Sequence, residues 1–163
     1  MKIIIVGAGD VGFHLAKLLS FESQDIFLVD TKAEKLNYAS SHIDVITKKG
    51  DATSIKLLRE LNIQKADIFL AVTESQNTNF TLAVIAKKLG AKKTIARISS
   101  HEFNLNSEID FNELGIDSMI SPGELAADEI KMLLHQSAFN DTIEFENGAL
   151  NILGTTLDHN SPL

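Results

Sequence analysis

Residues 2–12, KIIIVGAGDVG, decide the fold. Lys2–Val6 is a short β-branched run with no polar alternation, the pattern of a strand covered on both faces. Gly7-Ala8-Gly9-Asp10-Val11-Gly12 follows it, and Val11, Leu15, Leu18 and Leu19 then fall on one helical stripe. Between a strand and a helix, three glycines at this spacing have a joint mechanical reason. Gly7 makes the tight turn, Gly9 lets backbone approach a pyrophosphate, and Gly12 lets helix and strand pack closely. The loop, with Ala8, Asp10 and Val11 in it, turns amide donors and the positive helix end toward phosphate. The Asp10 side chain itself reads as a solvent-facing acid of the first turn. The alternative is a tight strand-to-helix turn that binds nothing.

Working outward, short apolar runs alternate with helical patterns. Strands are expected at Lys2–Val6, Ile26–Asp30, Asp44–Thr47, Ile68–Val72, Thr94–Arg97 and Ser118–Ile120. Helices are expected at Val11–Ser20, Ala33–Ser40, Ser54–Leu61, Asn77–Leu89 and, briefly, Glu102–Asn106. This alternation predicts an α/β fold, a Rossmann-like doubly wound parallel sheet with right-handed crossovers. Pro122-Gly123 opens a further helix, about Glu124 to Ser137, whose apolar face carries Leu125, Ala126, Ile130, Leu133 and Leu134. Beyond it, alternating runs around Asn147-Gly148 predict a β-hairpin, which needs something to pack on.

Ligand contacts in such a sheet lie beyond the carboxyl ends of the strands. Asp30, followed by Thr31, ends the second strand where a carboxylate meets ribose hydroxyls; it would repel a 2′-phosphate, which favours NAD over NADP. Read otherwise, Asp30 caps the next helix. Gly50-Asp51-Ala52 follows the third strand and places Asp51 at an adenine edge, or in a plain turn. Thr73 follows the fourth strand, with Glu74 and Ser75 suited to capping the next helix. Arg97 ends the fifth strand, where it clamps phosphate or forms a structural ion pair. The other arginine, Arg59, falls on a polar helix position.

Composition narrows the function classes. The 163 residues carry a net charge of −7, and the lysine pairs at 48–49, 87–88 and 92–93 are local, which argues against nucleic acid as a partner. No apolar run is long enough to enter a membrane directly, and the first run is too short for a signal peptide. With no cysteine there is neither disulfide nor thiolate chemistry. His14, His42, His101, His135 and His159 show no metal-ligand spacing.

The segments IIIVGAGDVGFHLAKLL, LVD, GDAT, AVTESQNTNFTLAVIAKKLGAKKTIARI and SPGELAADEI occur in order. Together they resemble the TrkA N-terminal domain, the RCK or KTN domain of potassium transport regulators, over about residues 1–138. The tail, 139–163, is similar to the start of the TrkA C-terminal subdomain, and the chain reads as cut from a longer protein. The resemblance implies a cytoplasmic regulatory subunit, peripheral to the inner face of the cell membrane through a potassium-translocating membrane protein. It implies NAD+ or NADH as ligand, with ATP or ADP as alternatives. Copies would assemble as a homodimer or a higher ring through helix 124–138. Gly7, Gly9 and Gly12 would hold phosphate, Asp30 ribose, Asp51 the adenosine end, and Arg97 phosphate or a neighbour's ligand. Many relatives carry glutamate directly after the proline; here Gly123 stands there, so no metal site is carried over. The competing reading is a fragment of an NAD-dependent oxidoreductase. Against it, Tyr38 is the only tyrosine and is followed at the fourth position by His42 rather than lysine.

Overall fold

The computed structural model describes residues 1–22, 24–99, 109–135, 141–145 and 150–154. The chain divides into two compact units, Met1–Pro122 and Gly123–Leu163. In the first, six strands form one sheet: β1 (Lys2–Val6), β2 (Asp25–Asp30), β3 (Ile46–Lys49), β4 (Ile68–Ala71), β5 (Lys93–Arg97) and β6 (Ser118–Ile120). Their order is β3-β2-β1-β4-β5-β6 and every pairing is parallel. This is the doubly wound α/β sheet the sequence predicts, with its direction reversing between β1 and β4.

Helices α1 (Asp10–Ser20), α2 (Ala33–His42), α3 (Ile55–Glu60) and α4 (Gln76–Lys88) make the crossovers. The apolar runs are continuous because both faces are covered. Ile4 and Val6 of β1 join Leu57, Leu58, Ile63, Phe69 and Leu82 on one face. Ile3 and Ile5 join Ala16, Leu28, Leu36, Ala39 and Leu70 on the other. Two helix starts are chemically capped: Ser54 accepts from the Leu57 amide and Ser75 from the Thr78 amide.

One strand departs from expectation. β3 begins at Ile46, later than Asp44, because its ladder pairs Phe27 through Asp30 with Ile46 through Lys49. The Gly50 amide then donates to the Asp30 carbonyl at 3.0 Å. As an edge strand it is exposed or half-buried throughout, so it needs no apolar run and tolerates Lys48 and Lys49. The helix expected at Glu102–Asn106 lies outside the described residues.

Asp117 ties the far edge together. Its carboxylate accepts from the Thr94 amide at 2.7 Å and from the Lys87 ammonium, 2.7 Å from each oxygen. Burial alone raises the Asp117 carboxyl, but the Lys87 ammonium and the Thr94 donors outweigh it and hold the group below the usual carboxylate range. A carboxyl depressed in the folded state contributes stability above its unfolded pKa of about 3.9, and loses it as pH falls through the folded value. Asp117→Ala should therefore lower stability by about 1.5 kcal/mol at neutral pH, with the deficit shrinking below pH 4. Urea midpoints measured across that range check this; a deficit constant down to pH 3 would assign the loss to packing instead.

In the second unit, α5 (Pro122–His135) carries the expected apolar residues. β7 (Asp141–Phe145) and β8 (Leu150–Gly154) pair antiparallel, Phe145 opposite Leu150, as the hairpin reading requires. The Asn147-Gly148 turn itself lies outside the described residues. No helix among the described residues is long and apolar enough to cross a membrane.

Candidate functional site

The loop between β1 and α1 sits at the point where the sheet changes direction. Gly7 takes φ +105°, and a Cβ there would meet the Val72 carbonyl carbon and the Thr73 amide nitrogen at 2.9 Å. A Cβ at Gly12 would lie 1.8 Å from the Gly7 carbonyl oxygen. Both glycines are thus demanded by the protein's own backbone. Gly9 differs: a Cβ there meets only the Lys35 ammonium, at an ordinary 3.7 Å. What its missing side chain keeps open is the space in front of α1. Gly9 is the N-cap residue of that helix and makes no side-chain cap, so the first-turn amides have no intrahelical acceptor.

Asp30 stands at the end of β2 and braces this loop. Its Oδ2 accepts from the Ala8 amide at 2.8 Å and its Oδ1 from the Lys32 amide at 2.8 Å. Lys32, not Asp30, is the N-cap residue of α2. Each carboxylate oxygen has taken one amide and keeps a lone pair for a further donor. The Ala8 amide is spent on Asp30, so Ala8 serves the site by fixing that carboxylate.

A cleft of about 490 Å³ opens beyond the strand ends. Gly7, Gly9, Asp10, Val11, Asp30, Thr31, Gly50, Asp51, Ala52, Thr73 and Arg97 all line it. Ala8 and Gly12 do not: Ala8 lines a neighbouring hollow, and Gly12 is buried where α1 meets the loop. The sequence reading missed Lys32, Lys35 and Thr78 at its wall and Val6, Val29, Val72 and Leu82 as its apolar lining. Asp51 has a local duty as well: the Thr53 amide, and then its hydroxyl, donate to the carboxylate at 2.9 and 2.8 Å and hold it below the usual range. Ser75 caps α4 as expected, whereas Glu74 reaches across to Lys35.

The far wall depends on a residue that sequence reasoning did not find. Asn79 is 1% exposed. Its Oδ1 accepts from the Thr73 amide at 2.8 Å and the Thr73 hydroxyl at 2.6 Å, and its Nδ2 donates to the carbonyls of Thr73 and Arg97 at 3.0 and 2.9 Å. One amide side chain thereby clips the end of β4 to the end of β5. Asn79→Ala should cost about 2 kcal/mol, since buried donors and acceptors lose partners together; thermal unfolding reads it, and an unchanged midpoint would dismiss the clip. The Arg97 guanidinium makes a long contact, 3.5 Å, to the Thr73 carbonyl, and its buried Nε has no partner among the described residues. An arginine with unused donors lining the same cleft as the start of α1 suits an anion.

Residues 3–122 match the TrkA-N domain. The chain belongs to the TrkA-N domain family. It is 31% identical over 153 residues to a Trk system potassium uptake protein TrkA homolog of Archaeoglobus fulgidus, covering 94% of this chain and 35% of that protein. It is 33% identical to a protein of the same name from Methanothermobacter thermautotrophicus, covering 94% and 69%. The chain thus spans about a third of the first relative's length. Among solved structures, the GsuK channel bound to NAD superposes with a TM-score of 0.67 at 24% identity, over 82% of this chain and 23% of the channel. GsuK bound to ADP gives 0.65 at 25% identity, over 82% and 33%. In this TrkA-N domain the glycine loop, Asp30 and the cleft lie together beyond the carboxyl ends of the strands.

Proposed function

We propose that this TrkA-N domain is the nucleotide sensor of a cytoplasmic regulatory subunit in a Trk-type potassium uptake system. Its ligand is NAD+ or NADH, with ADP or ATP as the alternative. The observation that carries this reading is the pairing of Gly9, open where its own backbone demands no glycine, with Asp30, whose carboxylate is pre-set by two amides. Pyrophosphate lies on the α1 amides, with Gly7, Gly9, Asp10 and Val11 as its floor and Arg97 opposite. The ribose hydroxyls donate to Asp30, beside Thr31. The adenine reaches Gly50, Asp51 and Ala52. No proton-moving group is required, because the domain binds and does not turn its ligand over.

Sensing needs a second state. A ligand shifts an assembly only by as much as it binds one arrangement better than another. Leu125, Ile130 and Leu133 of α5 are 58–61% exposed. Large apolar side chains so exposed along one helix favour a partner surface, and we assign it to a second copy. A dimer or ring built this way would hand the nucleotide state to a potassium-translocating membrane protein. Leu125→Glu with Leu133→Glu should convert dimer to monomer in sedimentation velocity while the circular dichroism stays unchanged. An unaltered sedimentation profile would remove α5 from the interface.

Calorimetric titration with NAD+, NADH, ATP and ADP, alongside light scattering, tests the whole reading. Saturable binding with a change in assembly and no turnover supports a sensor and names its ligand. Turnover of NAD with a substrate would favour the oxidoreductase reading, and absence of binding by all four would leave an assembly module.

A further inference from the structure

The glycine fingerprint does not account for Lys35. This residue lies in the first turn of α2, and its ammonium stands 3.7 Å from where a Cβ on Gly9 would be. It pairs with Glu74 at 3.4 Å, the two side chains being 32% and 85% exposed. α2 follows β2 and Glu74 follows β4, and β1 lies between those strands. The ion pair therefore arches over the loop that leaves β1. Both residues line the cleft, and both line an adjoining hollow of about 360 Å³ beside Phe13 and Tyr38.

An exposed lysine–glutamate pair contributes little, and 3.4 Å is long for a charge-assisted bond. A phosphate oxygen seated on the α1 amides beside Gly9 brings a denser charge to the same ammonium. Lysine acts on phosphate as a mobile point charge and changes partner easily. We infer that Lys35 is the phosphate-reading residue of this cleft and that Glu74 is its internal competitor, so ligands are ranked by the charge they place next to Gly9. This rests on the nucleotide reading above and adds a specificity determinant to it. Because Glu74 is released when Lys35 turns to phosphate, the loop preceding α4 registers the exchange.

The test titrates the chain with ADP, NAD+ and adenosine. Lys35→Gln should weaken ADP and NAD+ about tenfold and leave adenosine, which has no phosphate, unchanged. Glu74→Gln should tighten ADP about threefold, and the gain should vanish in the double variant. If the unaltered chain binds ADP or NAD+ and Lys35→Gln binds them equally well, the inference falls and the nucleotide site stands. If Lys35→Gln weakens adenosine as much as ADP, Lys35 shapes the cleft and reads no phosphate, which also overturns it. If the unaltered chain binds none of the three, and neither NADH nor ATP, the nucleotide reading falls and takes this inference with it.

Discussion

Gly12→Ala should lower stability by about 3–4 kcal/mol, roughly 10 °C in melting temperature for a domain of this size. Helix propensity argues the other way, since alanine in a helix interior is favoured over glycine by about 1 kcal/mol. Sterics win by a wide margin. The added Cβ would sit 1.8 Å from the Gly7 carbonyl oxygen and 3.0 Å from its carbonyl carbon. That obstacle is backbone, and Gly7 has little room to retreat, because the Val72–Thr73 peptide lies 2.9 Å from where a Cβ on Gly7 would be. Either α1 moves off the sheet, losing the packing of Ala16, or the turn opens. Gly50→Ala makes an instructive comparison: its Cβ meets the end of the Leu57 side chain, at 2.8 Å, which can rotate aside. Gly9→Ala should change stability by only about 0.5 kcal/mol, as at an ordinary N-cap. Differential scanning calorimetry on the three variants checks the order. A Gly12→Ala melting point within a degree of the parent would show that the helix start is softer than its contacts imply.

This contrast marks how far the sequence could be read. Strand and helix order was legible because each run has the right length and both sheet faces are apolar, and β1 and β6 fall on the expected residues. The glycine loop was legible because its spacing carries a mechanism, although spacing alone did not separate Gly12, which the protein needs, from Gly9, which it does not. β3 was displaced because an edge strand is placed by its ladder with β2 and not by its own hydrophobicity. Asn79 and the Lys35–Glu74 pair were not legible. Asn79 joins residues 6 and 18 positions away, and Lys35 meets Glu74 across 39. Such partners are set by which strand ends become neighbours, and a local pattern of amides and charges looks the same on any solvated helix. Asp30 was legible as a residue at the strand-end cleft, which it lines, yet its grip on the Ala8 and Lys32 amides was not.

That grip gives Asp30→Ala a large expected effect: NAD+ affinity should fall about 100-fold, roughly 3 kcal/mol, if the carboxylate takes the ribose hydroxyls. Two losses combine. In the proposed pose the hydroxyls lose a charged acceptor, and the Ala8 amide, now without its 2.8 Å partner, no longer fixes the loop that would carry the phosphates. Bulk electrostatics predicts the opposite sign. The cleft carries Asp10, Asp30, Asp51 and Glu74 against Lys32, Lys35 and Arg97, so removing any acid should help an anionic ligand. Asp10→Ala isolates that term, since it deletes an equal charge from the same cleft. It should leave NAD+ binding unchanged or slightly tighter, whereas Asp30→Ala weakens it. An NAD+ over NADP+ preference is expected of the proposed pose, which sets the Asp30 carboxylate at the ribose hydroxyls where it would repel a 2′-phosphate. Asp30→Ala should narrow that preference mainly by weakening NAD+, and Asp10→Ala should leave it intact. Equal behaviour of the two variants would mean that the cleft reads charge alone and that Asp30 is a brace for the glycine loop rather than a ligand contact.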